Sequence, residues 1–212
     1  TDDDIKVEVA EPENLRNAAM VVREQVFVKE LGIPKEAEFD GKDRGATHIL
    51  AYMQKQQRII PIGTMRIRFL DDCARFERMA VIRDFRKTDI SEAIMQCGFD
   101  YAVQKGYRKV QAACKKELLS RWQRCGFYVD ESRENFELNG MKLIPIRCNL
   151  PPHPRALTMN SDFHPLIAKK GHLYDEVQEV QKTTGIEMAI IKIKKLLRGD
   201  LYNPFIFKVP FL

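Results

Sequence analysis

FERMAVIRDFRKTDISEAIM, residues 76–95, is a β-branched and apolar run ending at Val81, then a basic loop, then the start of an amphipathic helix. This is the strand-loop-helix layout of a phosphate-binding turn without its glycines. The first amides of a helix have no partner within it and lie at the positive end of its dipole, so they attract a pyrophosphate. Arg83, Arg86 and Lys87 surround that helix start. An ordinary solvated basic surface is the alternative reading. Asp89, with Glu92 three residues on, reads as an N-cap and its capping box. A carboxylate capping those amides would compete with an anion for them.

Working outward, IKVEV (5–9) alternates as a strand does, and Pro12 opens a helical pattern that runs through Leu15, Ala18, Ala19, Val22, Val26 and Phe27 and stops near Gly32 and Pro34. A polar connection leads into HILAYM and, after a turn near Gln57, PIGTMRIRFL, which together predict an antiparallel hairpin. Beyond the helix of about residues 90–104, closed by Gly106, KVQAAC predicts a strand and ELLSRWQRCG a short helix closed by Gly126. FYVD and MKLIPIRC predict two last strands. The order β-α-β-β-β-α-β-α-β-β makes residues 1–150 an α/β domain, a mixed sheet with helices on its faces. Pro151, Pro152 and Pro154 break the pattern, and residues 151–212 read as a linker, two helices (about 163–181 and 186–198) and the apolar tail LYNPFIFKVPFL. Such a tail suits packing on the main domain or a homo-oligomer, such as a dimer, through these helices, with a membrane surface as the lesser alternative.

With 212 residues, 44% of them hydrophobic, the chain can bury a substantial core. Its net charge of +5 comes from interspersed rather than clustered charges, which argues against nucleic acid as a partner. Five cysteines without a C-x-x-C pair suggest neither a disulfide framework nor a zinc site. These cysteines fit a reducing, cytoplasmic setting, and a soluble protein is expected, since no run approaches the roughly 18 apolar residues of a membrane span and the acidic start is unlike a signal peptide.

Several motifs in order carry a family resemblance over about two thirds of the chain. Arg86 to Ser91 stands where the GCN5-related N-acetyltransferases have their R/Q-x-x-G-x-G/A acyl-CoA signature, with Asp89 and Ser91 at the positions of small residues. The first half resembles a subgroup with an early R-x-x-V-F helix (Arg23, Val26, Phe27), then D-x-x-D and a His (Asp40, Asp43, His48), then G-T-x-R-I (Gly63, Thr64, Arg66, Ile67). That subgroup is similar, more distantly, to acyl-homoserine-lactone and N-acyl amino acid synthases. The resemblance implies the acyl-CoA N-acyltransferase fold with a C-terminal extension, and acetyl-CoA or another acyl thioester as co-substrate.

Acyl transfer from a thioester to an amine needs a base for the ammonium proton, donors to polarise the carbonyl and an acid for the leaving thiolate. Glu77, heading the strand that feeds the loop, is the candidate base; a Glu salt-bridged to Arg78 or Arg68 is the alternative. By the resemblance, amides of Met79, Ala80 and Val81 would meet the thioester arm, and Arg83, Arg86, Lys87, Thr88, Asp89, Ile90 and Ser91 the pyrophosphate. The family's Tyr in Y-x-x-x-G-F is replaced by Trp122, so the thiolate would leave unassisted, or Tyr128, Cys125 or a water would protonate it. Trp122 reads as a packing residue or as part of the acyl pocket. Arg23, Phe27, Asp40, Asp43, His48 and Arg66 are candidates for the acceptor side, although Asp-Gly and Asp-Arg-Gly are also good turn formers and His48 suits a structural hydrogen bond.

The leading expectation is an N-acyltransferase acting on a small primary amine or amino acid. The first alternative is an acyl-carrier-protein-dependent N-acyl synthase. The second is a catalytically inactive binding protein on the same scaffold.

Overall fold

The computed structural model describes residues 5–55 and 58–152. Eight strands form a mixed sheet: β1 (Ile5–Val9), β2 (Thr47–Lys55), β3 (Arg58–Phe69), β4 (Ala74–Val81), β5 (Lys109–Cys114), β6 (Tyr128–Val129), β7 (Phe136–Leu138) and β8 (Met141–Asn149). Their order is β1-β2-β3-β4-β5-β8-β6, with β7 paired to β8 alone. Every pairing is antiparallel except β4 with β5. The expected mixed α/β fold is present, and the linker, helices and tail expected beyond Pro152 lie outside the described residues.

Two helices cover the two faces. α1 (Glu13–Arg23) buries Leu15, Ala18, Ala19 and Val22 against Leu50, Tyr52 and Ala80. A short α2 (Lys35–Glu38) follows it. On the other face α3 (Ile90–Gln104) buries Ile90, Ile94, Met95 and Phe99 against Ile49, Met65, Ile67 and Phe76. Each fully buried aliphatic or aromatic side chain contributes on the order of 2 kcal/mol, so this layer dominates the fold's stability. α3 lies close to the sheet because Gly98 has no Cβ, which would collide with the Met65 methyl and the Phe76 ring. α4 (Leu119–Arg124) ends at Gly126, whose φ of +90° closes it as the sequence predicts.

Three local features differ from expectation. The helix predicted to run to Gly32 changes after Arg23 into a π-helical segment, Glu24–Glu30. An additional strand, β7, forms a hairpin with the last strand, β8; the turn residues Asn139 and Gly140 both adopt positive φ, 51° and 73°. Asn-Gly is a strong hairpin signal, but the three residues of β7 are all exposed, so no alternation marks them. The third feature is the start of α3, where Asp89 makes no capping bond.

Candidate active site

β4 borders the candidate site, and it is paired on one side only over most of its length. With β5 it pairs at Ala74↔Val110 and Arg75↔Gln111, and among the described residues the two parallel strands make no pairing beyond that. Toward their C-terminal ends the strands therefore diverge, leaving backbone groups of β4 on that side without a strand partner. On the β3 side the register shifts between Thr64↔Ala80 and Arg66↔Glu77, so that Arg78 and Met79 oppose Met65 alone. This is a β-bulge, and Arg78 takes φ +53° to make it. A left-handed arginine costs on the order of 1 kcal/mol and persists only where its surroundings enforce it.

The loop after β4 reaches α3 through a short 3₁₀ turn, Arg83–Phe85. Asp89 precedes the helix with φ −84° and ψ 21°, outside the extended backbone of a capping residue. Glu92 does not reach back either. It accepts a bond from the Ser91 hydroxyl (2.7 Å) and faces Arg121 and Arg124 of α4 at 3.6 and 3.8 Å. The predicted capping box is thus absent, and the first-turn amides of Ile90, Ser91 and Glu92 are not taken by the Asp89 carboxylate. Burial and the nearby Glu92 push the Asp89 carboxyl up, against the pull of Arg121 and Arg124. Arg121 also donates to Ser91 Oγ (3.1 Å) and to the Arg86 carbonyl (3.4 Å), which brings a cation to the loop from α4. No motif marked it.

The basic residues of the loop have different situations. Arg86 is engaged: it donates to Val81 O (2.8 Å) and forms a two-pronged pair with Glu30 (2.6 and 2.6 Å) at the end of the π-helical segment. Arg83, largely exposed, lies 3.5 Å from the same carboxylate. Lys87 is exposed, and Thr88 donates to Phe85 O (2.6 Å). Met79 and Val81 lean on the α3-side core, Ala80 and Phe27 on the α1-side core.

On the α1 face of the sheet, Arg23, Asp40, Asp43, His48, Arg66 and Glu77 do converge, but on one another. Arg66, fully buried, donates to both Asp40 oxygens (2.7 and 3.0 Å), to Asp43 (3.1 Å) and to Glu77 (2.8 and 3.1 Å). Arg23, also fully buried, pairs with Glu38 (2.6 Å) and Asp43 (2.5 Å). Arg78 joins Glu38 at 2.7 Å, and Arg68 grips Glu77 with two bonds (2.8 and 3.0 Å). Two fully buried and two partly buried arginines are tolerated here because four carboxylates face them. Glu77 is thus salt-bridged to Arg68, as its alternative reading has it, and not to Arg78, which pairs with Glu38, a residue no motif marks.

The electrostatics follow from these pairs. Burial raises the proton affinity of Glu77, but hydrogen bonds from Arg68 and the charge of Arg66 more than reverse this, so Glu77 is an ionised carboxylate. The hydrogen bonds from Arg66 hold Asp40 well below the usual carboxylate range. His48 is pushed down to about 4 by burial, against the pull of Asp43 3.7 Å away, and is neutral with its Nδ1 lacking a protein partner.

Tyr128 and Trp122 are not brought to this group. β6 is separated from β4 by β8 and β5, about 14 Å at the usual strand spacing. The Tyr128 hydroxyl instead accepts from Asn149 (3.0 Å), and its ring lies under Arg147. Trp122 is buried edge-on against Phe127 in the core. Burial pushes the Cys125 thiol up to about 12. Among the described residues no group of His, Cys, Asp and Glu could hold a metal ion, and no helix is long and apolar enough to cross a membrane.

Comparison with known proteins assigns this architecture. The model of the acetyltransferase (GNAT) family matches residues 14–127. The chain belongs to that family. Its members are acyltransferases that use acyl-CoA co-substrates. YjcF of Bacillus subtilis, an uncharacterized N-acetyltransferase, is 33% identical over 130 residues, spanning 61% of this chain and 90% of YjcF. Two solved structures share the fold at low identity. FeeM, an N-acyl amino acid synthase from uncultured soil microbes, is 12% identical with a TM-score of 0.59, over 70% of this chain and 92% of FeeM. BjaI, a CoA-dependent acyl-homoserine lactone synthase solved with SAM and isopentyl-CoA, is 14% identical with a TM-score of 0.55, over 91% of this chain and 99% of BjaI.

Proposed function

We propose that this GNAT protein transfers an acetyl or longer acyl group from a thioester, acetyl-CoA or a relative of it, to the primary amine of a small molecule or amino acid. The observation that carries this reading is the divergence of β4 and β5 beyond Arg75 and Gln111. Unpaired strand edges in a folded interior need hydrogen-bonding partners, and the amide-bearing arm of an acyl-CoA is an extended chain that supplies them. One end of the gap meets the start of α3, where the first-turn amides, Arg121 and the loop cations suit a pyrophosphate. Near the other end lie the bulge at Arg78 and Met79 and the carboxylate of Glu77.

In this reading the neutral amine's lone pair attacks the thioester carbonyl carbon, whose oxygen takes up charge beside the amides at Met79 and Val81. The excess proton passes to Glu77 and on to solvent, because a carboxylate of lowered proton affinity does not retain it. The C–S bond then breaks, and the thiolate takes its proton from water, Tyr128 being too distant. Product analysis by mass spectrometry, with acetyl-CoA and longer acyl-CoAs against a panel of amines, tests the proposal; absence of any acylated amine sinks it.

A donor borne by an acyl carrier protein would occupy the same gap. The exposure of Arg83 and Lys87 at its mouth favours this second reading, since they could meet the acidic carrier. Acyl-carrier substrates in the same assay separate the two donors.

A further inference from the structure

The α1 face of the sheet carries a row of residues in register across five strands. Arg68 of β3 stands opposite Arg75 of β4, Arg75 opposite Gln111 of β5, Gln111 opposite Arg147 of β8, and Arg147 opposite Tyr128 of β6. Residues opposite one another in a sheet point to the same face. Arg133 adds to the row by donating to the Gln111 side-chain oxygen (3.3 Å). Arg68 and Arg75 are therefore cross-strand neighbours of like charge, an arrangement that destabilises a sheet unless an anion lies between them.

Glu77 is the one carboxylate paired with either among the described residues, and it is mostly spent. Its Oε2 accepts from Arg66 and Arg68 and its Oε1 from Arg68, while Arg75 Nε remains 3.9 Å away, beyond hydrogen-bond reach. Five arginines (Arg23, Arg66, Arg68, Arg75, Arg78) thus share four carboxylates (Glu38, Asp40, Asp43, Glu77) in this group. The excess positive charge falls on Arg75, which is 31% exposed. Arg75 also marks the apex of the gap, where pairing with β5 ends.

We propose that Arg75, with Arg68, forms an anion subsite that selects acceptors bearing a carboxylate close to the reacting amine, α-amino acids being the chemical class that fits. Arg75 and Glu77 are neighbours on one face, so a molecule whose ammonium meets Glu77 can set a carboxylate two or three bonds away on the Arg75 guanidinium. The fork of an arginine matches a carboxylate in two places, which a lysine does not reproduce. This rests on the acyltransferase reading for its catalytic consequence, but the binding itself can be measured without a donor.

Two measurements test it. Titrating amino acids and their amides into the full-length protein, followed by the arginine Nε–H NMR signals, is expected to move the Arg75 signal with the acids and not with the amides; the signal is assigned by its loss in Arg75→Lys. With any donor that turns over, the ratio of KM for an amide to KM for its amino acid is expected to exceed about ten in the wild type and to fall at least about tenfold in Arg75→Ala and Arg75→Lys alike. An Arg75 signal indifferent to the acids, or a KM ratio unchanged in both variants, overturns the subsite. Acid-selective binding without turnover by any donor retains the subsite and counts against the acyltransferase reading instead.

Discussion

Arg66→Met should be among the most damaging single changes in the described domain. The substitution keeps an apolar stem of similar length and removes five hydrogen bonds to Asp40, Asp43 and Glu77. Asp43 retains Arg23 and Glu77 retains Arg68, but Asp40 is left with the Lys42 backbone N–H (3.2 Å) and with two more distant cations, Arg78 at 3.5 Å and Lys42 Nζ at 3.9 Å. Breaking a buried ion pair costs about 3–5 kcal/mol, and the partial exposure of the three carboxylates lets water relieve part of that, so about 3 kcal/mol is expected. For a chain of this size the loss corresponds to a fall of about 6–12 °C in Tm. Urea unfolding followed by the fluorescence of Trp122, the single tryptophan, reads it directly, since the ring is buried against Phe127. Asp40 adds a check of sign. Its folded carboxyl lies below its unfolded value of 3.8, so its contribution is complete above that value and fades as the pH falls below it. The gap between wild type and variant should therefore narrow on acidification from about pH 5 to about pH 2. A loss under about 1 kcal/mol at neutral pH, or a gap that widens in acid, would refute the view that Arg66 holds this cluster together.

Glu77→Gln is expected to lower kcat by about a hundredfold or more if the carboxylate takes the proton; because Glu77 is ionised from below its ordinary value of 4.5 upward, the wild-type pH–rate profile should show no Glu77 inflection near neutrality. A kcat within about twofold of wild type would remove Glu77 from the mechanism. His48 gives a stability prediction of its own. Its folded value of about 4 lies below the ordinary 6.5, so the unfolded chain takes up a proton that the native state refuses. Stability should fall by up to about 3 kcal/mol as the pH drops through that interval, and His48→Gln should flatten this part of the urea-unfolding profile.

Much of the fold was legible because it rests on patterns that burial enforces. The run from Phe76 to Met95 declared a strand, a loop and a helix, and α3 and β5 occur where periodicity placed them. The rest depends on geometry that leaves no compositional trace. The bulge at Arg78 involves no glycine, and the π-helical turn from Glu24 to Glu30 keeps the helical spacing of Val26 and Phe27. The candidate acceptor residues were recognisable as a set through their motifs. Their mutual pairing was not, because it requires knowing that α1, the loop at Asp40 and β3 meet at one point. The Asp89 cap failed for a similar reason: Arg121 and Arg124, remote in sequence, draw Glu92 away from the helix start.

The central claim is that the gap between β4 and β5 receives a thioester arm whose pyrophosphate lies at the start of α3. Amide hydrogen exchange of the full-length protein, with and without saturating acetyl-CoA, a longer acyl-CoA or an acyl carrier protein, tests it residue by residue. Slower exchange across residues 76–92 with at least one donor, and unchanged exchange in β1 and β2, is the predicted outcome. No change in residues 76–92 with any of the three, or protection confined to other strands, would contradict it.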